Sequence, residues 1–496
     1  MLFSFHRESA DQFILIRWIF IRLLAVIYGI AFLSFWMQVD GLIGSQGIMP
    51  AEQFLSLVQE QLGWDGYVKV PTVFWLAADD WMLHFVCLAG VASAVLVTIG
   101  ICQGPLLLLL WGLYLSLGSV GDVFLSFQWD ILLLEAGFLA IWFAPWSVRP
   151  AHGPPSLSIL WLLRWLLFRL ILMSGIVKLT SGDPSWRDLT ALTYHYETQP
   201  LPSWTAWYVH QMPEWFHSIS ALIMFGIEVL VPLTIFMPRR IRIIGCLILI
   251  LFQTGILITG SYTFFNWLAI LLCITLLDDK VIKKCSPGRL LAFISAGKHR
   301  IPDAPSVLKK AIVVITPCIL LISSIQFIGI LTPLPEVVRE PLRWVGPFRT
   351  INTYGLFAIM TTVRPEIFIE GSQDGESWHE YTFKWKPGDI QDRPSYPAPH
   401  QPRLDWQMWF AALGTYQNNP WLLNCMVRLM EGSAPVIALF RSNPFPDTPP
   451  RYIRAVVYDY TFTTYKTGQE TDAWWKREYM GLYTPVLKRP ESEIDD

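Results

Sequence analysis

The chain has 496 residues, of which 53% are hydrophobic and only 15% charged, with 24 tryptophans and a formal net charge of −2. Soluble domains average about 25% charged residues, so the deficit points to a polytopic membrane protein. The near-neutral balance argues against a nucleic-acid partner.

Apolar runs fill residues 13–331, and the remainder is polar and Trp-rich. Nine spans are expected, near 13–36, 82–101, 105–121, 130–146, 157–179, 218–237, 241–259, 264–277 and 309–331. A helix needs roughly 17–25 residues to cross hydrocarbon, so the third, fourth and eighth spans are short. The first run is too long for a signal peptide and lacks a small-residue cleavage site, so it reads as an anchor. With the N-terminus inside, the inner loops collect Arg7, Arg149, Arg239, Arg240, Arg242, Lys280, Lys283, Lys284, Arg289, Lys298, Arg300, Lys309 and Lys310. The outer loops hold only Lys69, Lys178 and Arg187, which satisfies the positive-inside rule. The loop 37–81, the loop after Lys178 and the C-terminal region then share the outer face.

The division expected is a multi-span domain over 1–335 and an extracytoplasmic, β-rich, Trp-rich domain over 336–496. In the latter, Ile367–Glu370 and Trp378–Trp385 alternate around Gly371-Ser372-Gln373-Asp374-Gly375, a strong hairpin signal. Helices follow near 404–414 and 420–431, and Ile453–Tyr465 reads as a strand. The fold class is therefore a polytopic α-helical membrane bundle of about nine spans followed by a β-sandwich-like domain with helical insertions.

Charges within the spans need partners, since each arginine at a helix centre costs roughly 2.5–3.5 kcal/mol on insertion scales. Arg17-Trp18 with Arg22-Leu23 in the first span recurs as Arg164-Trp165 with Arg169-Leu170 in the fifth. Arg17 is early enough to snorkel inward, whereas Arg22 is deeper. Asp130, Glu135 and Glu228 are the candidate counter-charges. They form ion pairs that fix helix register, or a polar cavity for an anionic or quinone-like ligand.

Lys178 ends the fifth span and is followed by Gly182-Asp183-Pro184, then Trp186, Tyr194, His195 and Tyr196, which resemble the rim of a pocket. It is a snorkelling anchor or, if it points into the bundle, a general base; Asp183 or Glu228 nearby would oppose the pKa shift that a base requires. His195 and His217 have no third ligand at metal spacing, so no metal and no other cofactor is expected. Of the seven cysteines only Cys425 lies in the C-terminal domain, so that domain holds no internal disulfide. Trp406, Trp409 and Phe410, with Trp474 and Trp475, either form the core of the outer domain or offer a sticky surface to a client.

Six motifs carry a resemblance: WRDLTALTYHYETQPLP at 186–202, INTYGLFAIMTTVRPEI at 351–367, GSQDGESWHEYTFKWKPGD at 371–389, RLDWQMWFAALG at 403–414, NPWLL at 419–423 and WWKREYMGLYTP at 474–485. Together they resemble the lipase maturation factor family over nearly the whole chain. The resemblance implies a membrane-bound maturation factor or chaperone for exported proteins, a lipase among the candidate clients. GIVKL at 175–179, with Trp186 and Ala191-Leu192, is similar to a pattern in the vitamin K-dependent carboxylase family. There the matching lysine is the base on a reduced quinone-type cofactor. That resemblance implies the alternative, a membrane-embedded enzyme with Lys178 as base on a quinone-like or lipid ligand and Arg22 and Arg169 beside it. No Asn-x-Ser/Thr acceptor occurs. With the cysteine-poor outer face, this favours a bacterial inner membrane with a periplasmic C-terminal domain over the endoplasmic reticulum.

Overall fold

The computed structural model describes residues 8–150, 153–285 and 306–490. Arg7, Arg289, Lys298 and Arg300 of the expected inner charge cluster lie outside the described residues. The helices that matter to the site are α1 (Ile14–Trp36), α2 (Asp80–Ile99), α3 (Gln103–Val120), α4 (Gln128–Phe143), α5 (Leu157–Thr180), α6 (Ala191–Thr198), α7 (Trp204–His210), α8 (Glu214–Leu230), α9 (Arg239–Thr259), α10 (Phe265–Ile274) and α11 (Ser306–Leu331).

Seven of these, α1, α2, α3, α5, α8 with its 3-10 extension, α9 and α11, are long and apolar enough to cross a membrane. This is a multi-pass membrane protein. The fourth and eighth expected spans are helices of 16 and 10 residues, α4 and α10, short of what a bilayer requires of a straight helix. α5 is the most enclosed long helix, and α8, α9 and α11 present most of their apolar surface outward, as lipid-facing helices do. Close approach is set by small residues. A Cβ at Gly137 of α4 would overlap the Tyr28 hydroxyl of α1, and one at Gly245 of α9 would overlap the Thr234 side chain.

The C-terminal region contains a single antiparallel sheet among the described residues, not the two facing sheets of a sandwich. Its strands are β1 (Pro365–Ser372), β2 (His379–Glu380), β3 (Tyr452–Phe462), β4 (Trp475–Leu482) and β5 (Leu487–Lys488). Their order is β2-β1-β3-β4, with β5 also pairing β3. The expected hairpin is present, closed by Asp374, whose carboxylate accepts from the amides of Glu376 and Ser377 at 2.8 and 2.7 Å. Its second strand is only two residues long, because the chain after Glu380 leaves the sheet and Thr382 bridges to Ser442 instead.

Two helices, α12 (Arg403–Ala412) and α13 (Pro420–Met430), take the place of a second sheet. Strand alternation sends Ile367, Ile369, Ile453 and Ala455 into the main core, which α12 and α13 share. Phe368, Val456, Tyr460 and Trp475 go to the other face, where Trp207 of α7 covers them. The sheet of the C-terminal region is thus closed on both faces by neighbouring elements.

All three hydrophilic pieces meet at one end of the bundle. Arg428 and Ser433 bond the carbonyls of Gly47 and Gln46 in the loop after α1, at 3.1 and 2.8 Å. Buried Arg364 grips the carbonyls of Glu197 in the last turn of α6 and of Gln199 and Pro200 just after it. Gln38 at the end of α1 bonds Gln401 O at 2.8 Å and accepts from Arg403 N at 2.9 Å.

Candidate functional site

α5 carries three cations at increasing depth, and a rise of about 1.5 Å per residue spaces them along the membrane normal. Arg164, toward the start of the helix, pairs with Glu8 at 2.8 Å and bonds Thr275 O at 3.0 Å. Arg169, mid-helix, pairs with Glu135 of α4 and bonds Asn352 O at 2.9 Å. The second Glu135 oxygen accepts from Asn352 N, Asn352 Nδ2 and Tyr354 Oη at 2.9, 3.0 and 2.7 Å. The segment leading into β1 is therefore tied to the middle of the bundle by a buried hydrogen-bonded network. Arg169 is not among the residues that line the cavity beside Lys178.

Lys178 points inward and is buried. Its ammonium group donates to Glu228 Oε1 and Oε2 at 2.9 and 2.8 Å and to Ser174 O at 3.2 Å. All three N–H bonds are thereby used, and a general base needs a free lone pair, which this geometry does not offer. The snorkelling-anchor reading also fails, because the side chain is held inside the bundle by Glu228 of α8.

The pair lies on the wall of a cavity of about 420 Å³. Its walls come from α5, α8 and α9, from α6, and from Leu356 and Phe357 of the segment before β1. Most of the lining is apolar, with Ser174, Lys178, His195, Tyr196, Ser220, Glu228, Gln253, Thr259 and Tyr262 among its polar groups. Trp186 closes one side, its indole 5.6 Å from Lys178 Nζ and its N–H bonded to Phe357 O at 2.9 Å. His195 Nε2 lies 3.1 Å from the Tyr262 hydroxyl. Its pKa is pushed down to about 4, first by burial and then by the Lys178 charge, so the imidazole is neutral at physiological pH. Among the described residues no three His, Cys, Asp or Glu side chains gather as a metal site.

Of the residues expected at a ligand cavity, Lys178, Glu228, Trp186 and His195 come together here. The others do not. Arg22 folds back to the inner end, its guanidinium 4.1 Å over the Trp18 ring and 3.4 Å from Trp18 O. Asp130 accepts from Arg403 of α12 at 2.9 and 3.0 Å and from Tyr114, so it joins the bundle to the C-terminal region. Arg164 and Glu135 sit in the separate networks described above.

The aromatic cluster expected at a client surface is mostly internal. Trp406 packs 4.6 Å from Trp129 of α4, and Trp409 bonds Thr198 O at 2.8 Å. Trp475 is buried beside Phe462, and Trp474 is half-buried against Trp207. Only Phe410 of the five is exposed, at 44%. These rings fill the junction because it has large apolar area to cover on both sides.

Sequence reading missed Arg403, Arg364, Asn352, Tyr354 and Phe357, all of which join the outer domain to the bundle. The first three are polar residues in loops or at a helix start, where no periodicity marks them as buried. Ser220 and Gln253 were also missed. Each is a polar residue in a largely apolar helix, which is the signal that could have found them.

The chain matches the family model for the lipase maturation factor transmembrane domain over residues 15–284 and that for the lipase maturation factor C-terminal domain over 350–485. The chain belongs to the lipase maturation factor family. It is 36% identical to lipase maturation factor 1 of Mus musculus, over 98% of this chain and 90% of that protein. It is 35% identical to lipase maturation factor 1 of Homo sapiens (97% and 89%) and 34% identical to lipase maturation factor 2 of Gallus gallus (97% and 82%). These relatives are vertebrate proteins, and they lend no support to a bacterial inner membrane. No solved structure matches the chain.

Proposed function

We propose that this protein is a membrane-bound maturation factor that assists the folding or assembly of exported lipases. The observation that carries this reading is a match to named lipase maturation factors over nearly the whole chain, bundle and outer domain alike. The architecture supports it: an outer domain fixed rigidly on the bundle presents folded surfaces beside the membrane, with no metal cluster among its described residues.

Nine crossings fit the contacts better than seven. α4 begins beside Arg403 at the outer end, and the chain beyond it bonds Cys102 N from Val148 O at the other end. α10 likewise follows Thr259, which bonds Gln199 outside, and leads to Leu276, whose carbonyl accepts from Arg242 inside. Short helices suffice because they are enclosed by protein and continued by irregular segments. The domain boundary then falls near 335/336, with the second domain facing the compartment where exported proteins fold.

Since Trp406, Trp409 and Trp475 are packed, client contact passes to exposed apolar groups on the outer domain. Phe410 and Leu413 stand together on α12, and Tyr479, Met480 and Leu482 stand on the edge strand β4. An exposed edge strand with apolar side chains is a surface on which a partly folded chain can pair.

The test is the specific activity of an exported lipase in cells lacking this protein, complemented with wild type or with the double variant Phe410→Ser, Met480→Ser. Wild type should restore active enzyme, and the variant, at equal membrane level, should restore less. Equal lipase activity with and without the protein would overturn the reading.

A further inference from the structure

The cavity beside Lys178 has a mouth in the membrane. Ile223 of α8 and Gly255 of α9 both line it and both are exposed on the outer surface of the bundle. They are flanked by Ile219 and Leu222 on α8 and by Leu251 and Ile258 on α9, all exposed and apolar. Such a belt on two membrane helices faces acyl chains, so the opening leads to hydrocarbon rather than to water. A Cβ at Gly255 would meet nothing within 4 Å, which leaves the gap between the helices unobstructed there.

The polar groups inside define what the head of an occupant can be. Lys178 and Glu228 satisfy each other, so the wall has no free cation and no free anion. Burying a phosphate or carboxylate against this neutral pair would leave its charge uncompensated in a low-dielectric site. Of the uncharged polar side chains on the wall, Ser174 and Thr259 donate to carbonyls of their own helices and Tyr262 bonds His195 and Gln199, whereas Ser220 and Gln253, with the Tyr196 hydroxyl, keep donors unused among the described residues. Among the described residues Ser220 has no hydrogen-bond partner for its hydroxyl. The Gln253 side chain accepts from Asn266 at 2.8 Å and leaves its amide N–H groups free. A hydroxyl or ester carbonyl oxygen suits both donors. The volume, about 420 Å³, falls in the range of about 300–1,000 Å³ typical of small-molecule sites.

We propose that this cavity binds an uncharged, oxygen-headed lipid of the acylglycerol type, which enters sideways from the bilayer between α8 and α9. The head bonds Ser220 and Gln253 beside the Lys178–Glu228 pair, and an acyl chain runs out past Ile223 and Gly255. The far wall is Leu356 and Phe357, and Phe357 is tethered to Trp186. An occupant therefore touches the segment that leads into β1, and its binding stabilises the junction between bundle and outer domain. This inference does not rest on lipase being the client, and its test contains no lipase.

The experiment uses full-length protein in phosphatidylcholine nanodiscs with a photoactivatable diazirine monoacylglycerol, and labelled peptides are mapped by mass spectrometry. Labels should fall within 170–178, 216–228, 252–262 and 356–357, be competed by unlabelled diacylglycerol, and be insensitive to palmitate. Gly255→Trp plugs the mouth and should cut labelling about ten-fold, equivalent to about 1.4 kcal/mol of binding. Leu251→Trp, one turn away on the lipid face, should label as wild type does. A second variant, Ser220→Ala with Gln253→Leu, keeps the mouth open and should abolish the preference for diacylglycerol over a plain alkane as competitor. Absence of labelling in the cavity, equal labelling of Gly255→Trp with an unchanged melting temperature, or competition by palmitate as effective as by diacylglycerol would each overturn the proposal.

Discussion

Asp130 shows how a single buried side chain holds two domains. Its carboxylate faces Arg403 across the bundle–domain junction, with Tyr114 as a third partner, and the ion pair is fully enclosed. Removing one member leaves the other charged and alone in a dry site, at a cost of about 3–5 kcal/mol. Asp130→Ala should therefore strip the outer domain from the bundle, read as a lower unfolding midpoint in detergent and faster proteolysis near residue 350. Asp130→Leu combined with Arg403→Met should recover much of that loss, because the apolar pair needs no compensation. A double variant as unstable as the single one would show that the pair contributes more than mutual neutralisation. Lys178 belongs to the same class. Its hydrogen bonds are complete, so its burial reports an ion pair rather than a reactive amine.

Helix packing in the bundle depends on where side chains are absent. Gly137 of α4 admits the Tyr28 hydroxyl of α1, which in turn donates to Leu133 O at 3.1 Å. Gly137→Ala should push α1 and α4 apart, break that bond and reduce the yield of folded protein, measured as the monodisperse fraction after extraction. Gly112→Ala of α3, where an added Cβ meets nothing, serves as the control and should be neutral or slightly stabilising. Equal yields for the two would contradict the close approach. In the outer domain, β4 and α12 illustrate the reverse. Both carry aromatics, and the surrounding elements absorb Trp406, Trp409 and Trp475 while Phe410 and Tyr479 stay exposed.

The junction as a whole is held in its neutral-histidine state. His195 on α6 and His400 before α12 are both pushed down to about 4. Burial is the larger cause in each, followed by Lys178 for His195 and by Arg403 and Lys384 for His400. Their folded-state pKa values lie below the ordinary value near 6.5, so the opened state binds more protons in acid. The stability they secure is complete above pH 6.5 and is lost progressively as pH falls toward 4. At pH 5 the loss should reach about 1–2 kcal/mol for His195, which is enough to lower the melting temperature by several degrees. Melting curves at pH 7.5 and pH 5 test this, and His195→Gln should reduce the difference, with the remainder carried by His400. A melting temperature independent of pH over that interval would refute it.

Composition and pattern determine much of this protein. Apolar runs without enough charge for solubility must lie in lipid, and each of the nine expected runs is a helix. The Asp-Gly turn forms its hairpin and Tyr452–Phe462 its strand, because alternation and turn chemistry are local properties. The family motifs are likewise visible residue by residue. Partner choice is not local. Glu135 and Glu228 are visible as buried acids, yet only helix adjacency assigns them to Arg169 and Lys178, residues 34 and 50 positions away. Asp130 reaches Arg403 at a separation of 273 residues, which no pattern within one helix could announce. The cavity also exists only in three dimensions. It is the space left where α5, α8 and α9 diverge and the segment before β1 forms the far wall, so it depends on packing distances that sequence periodicity does not encode.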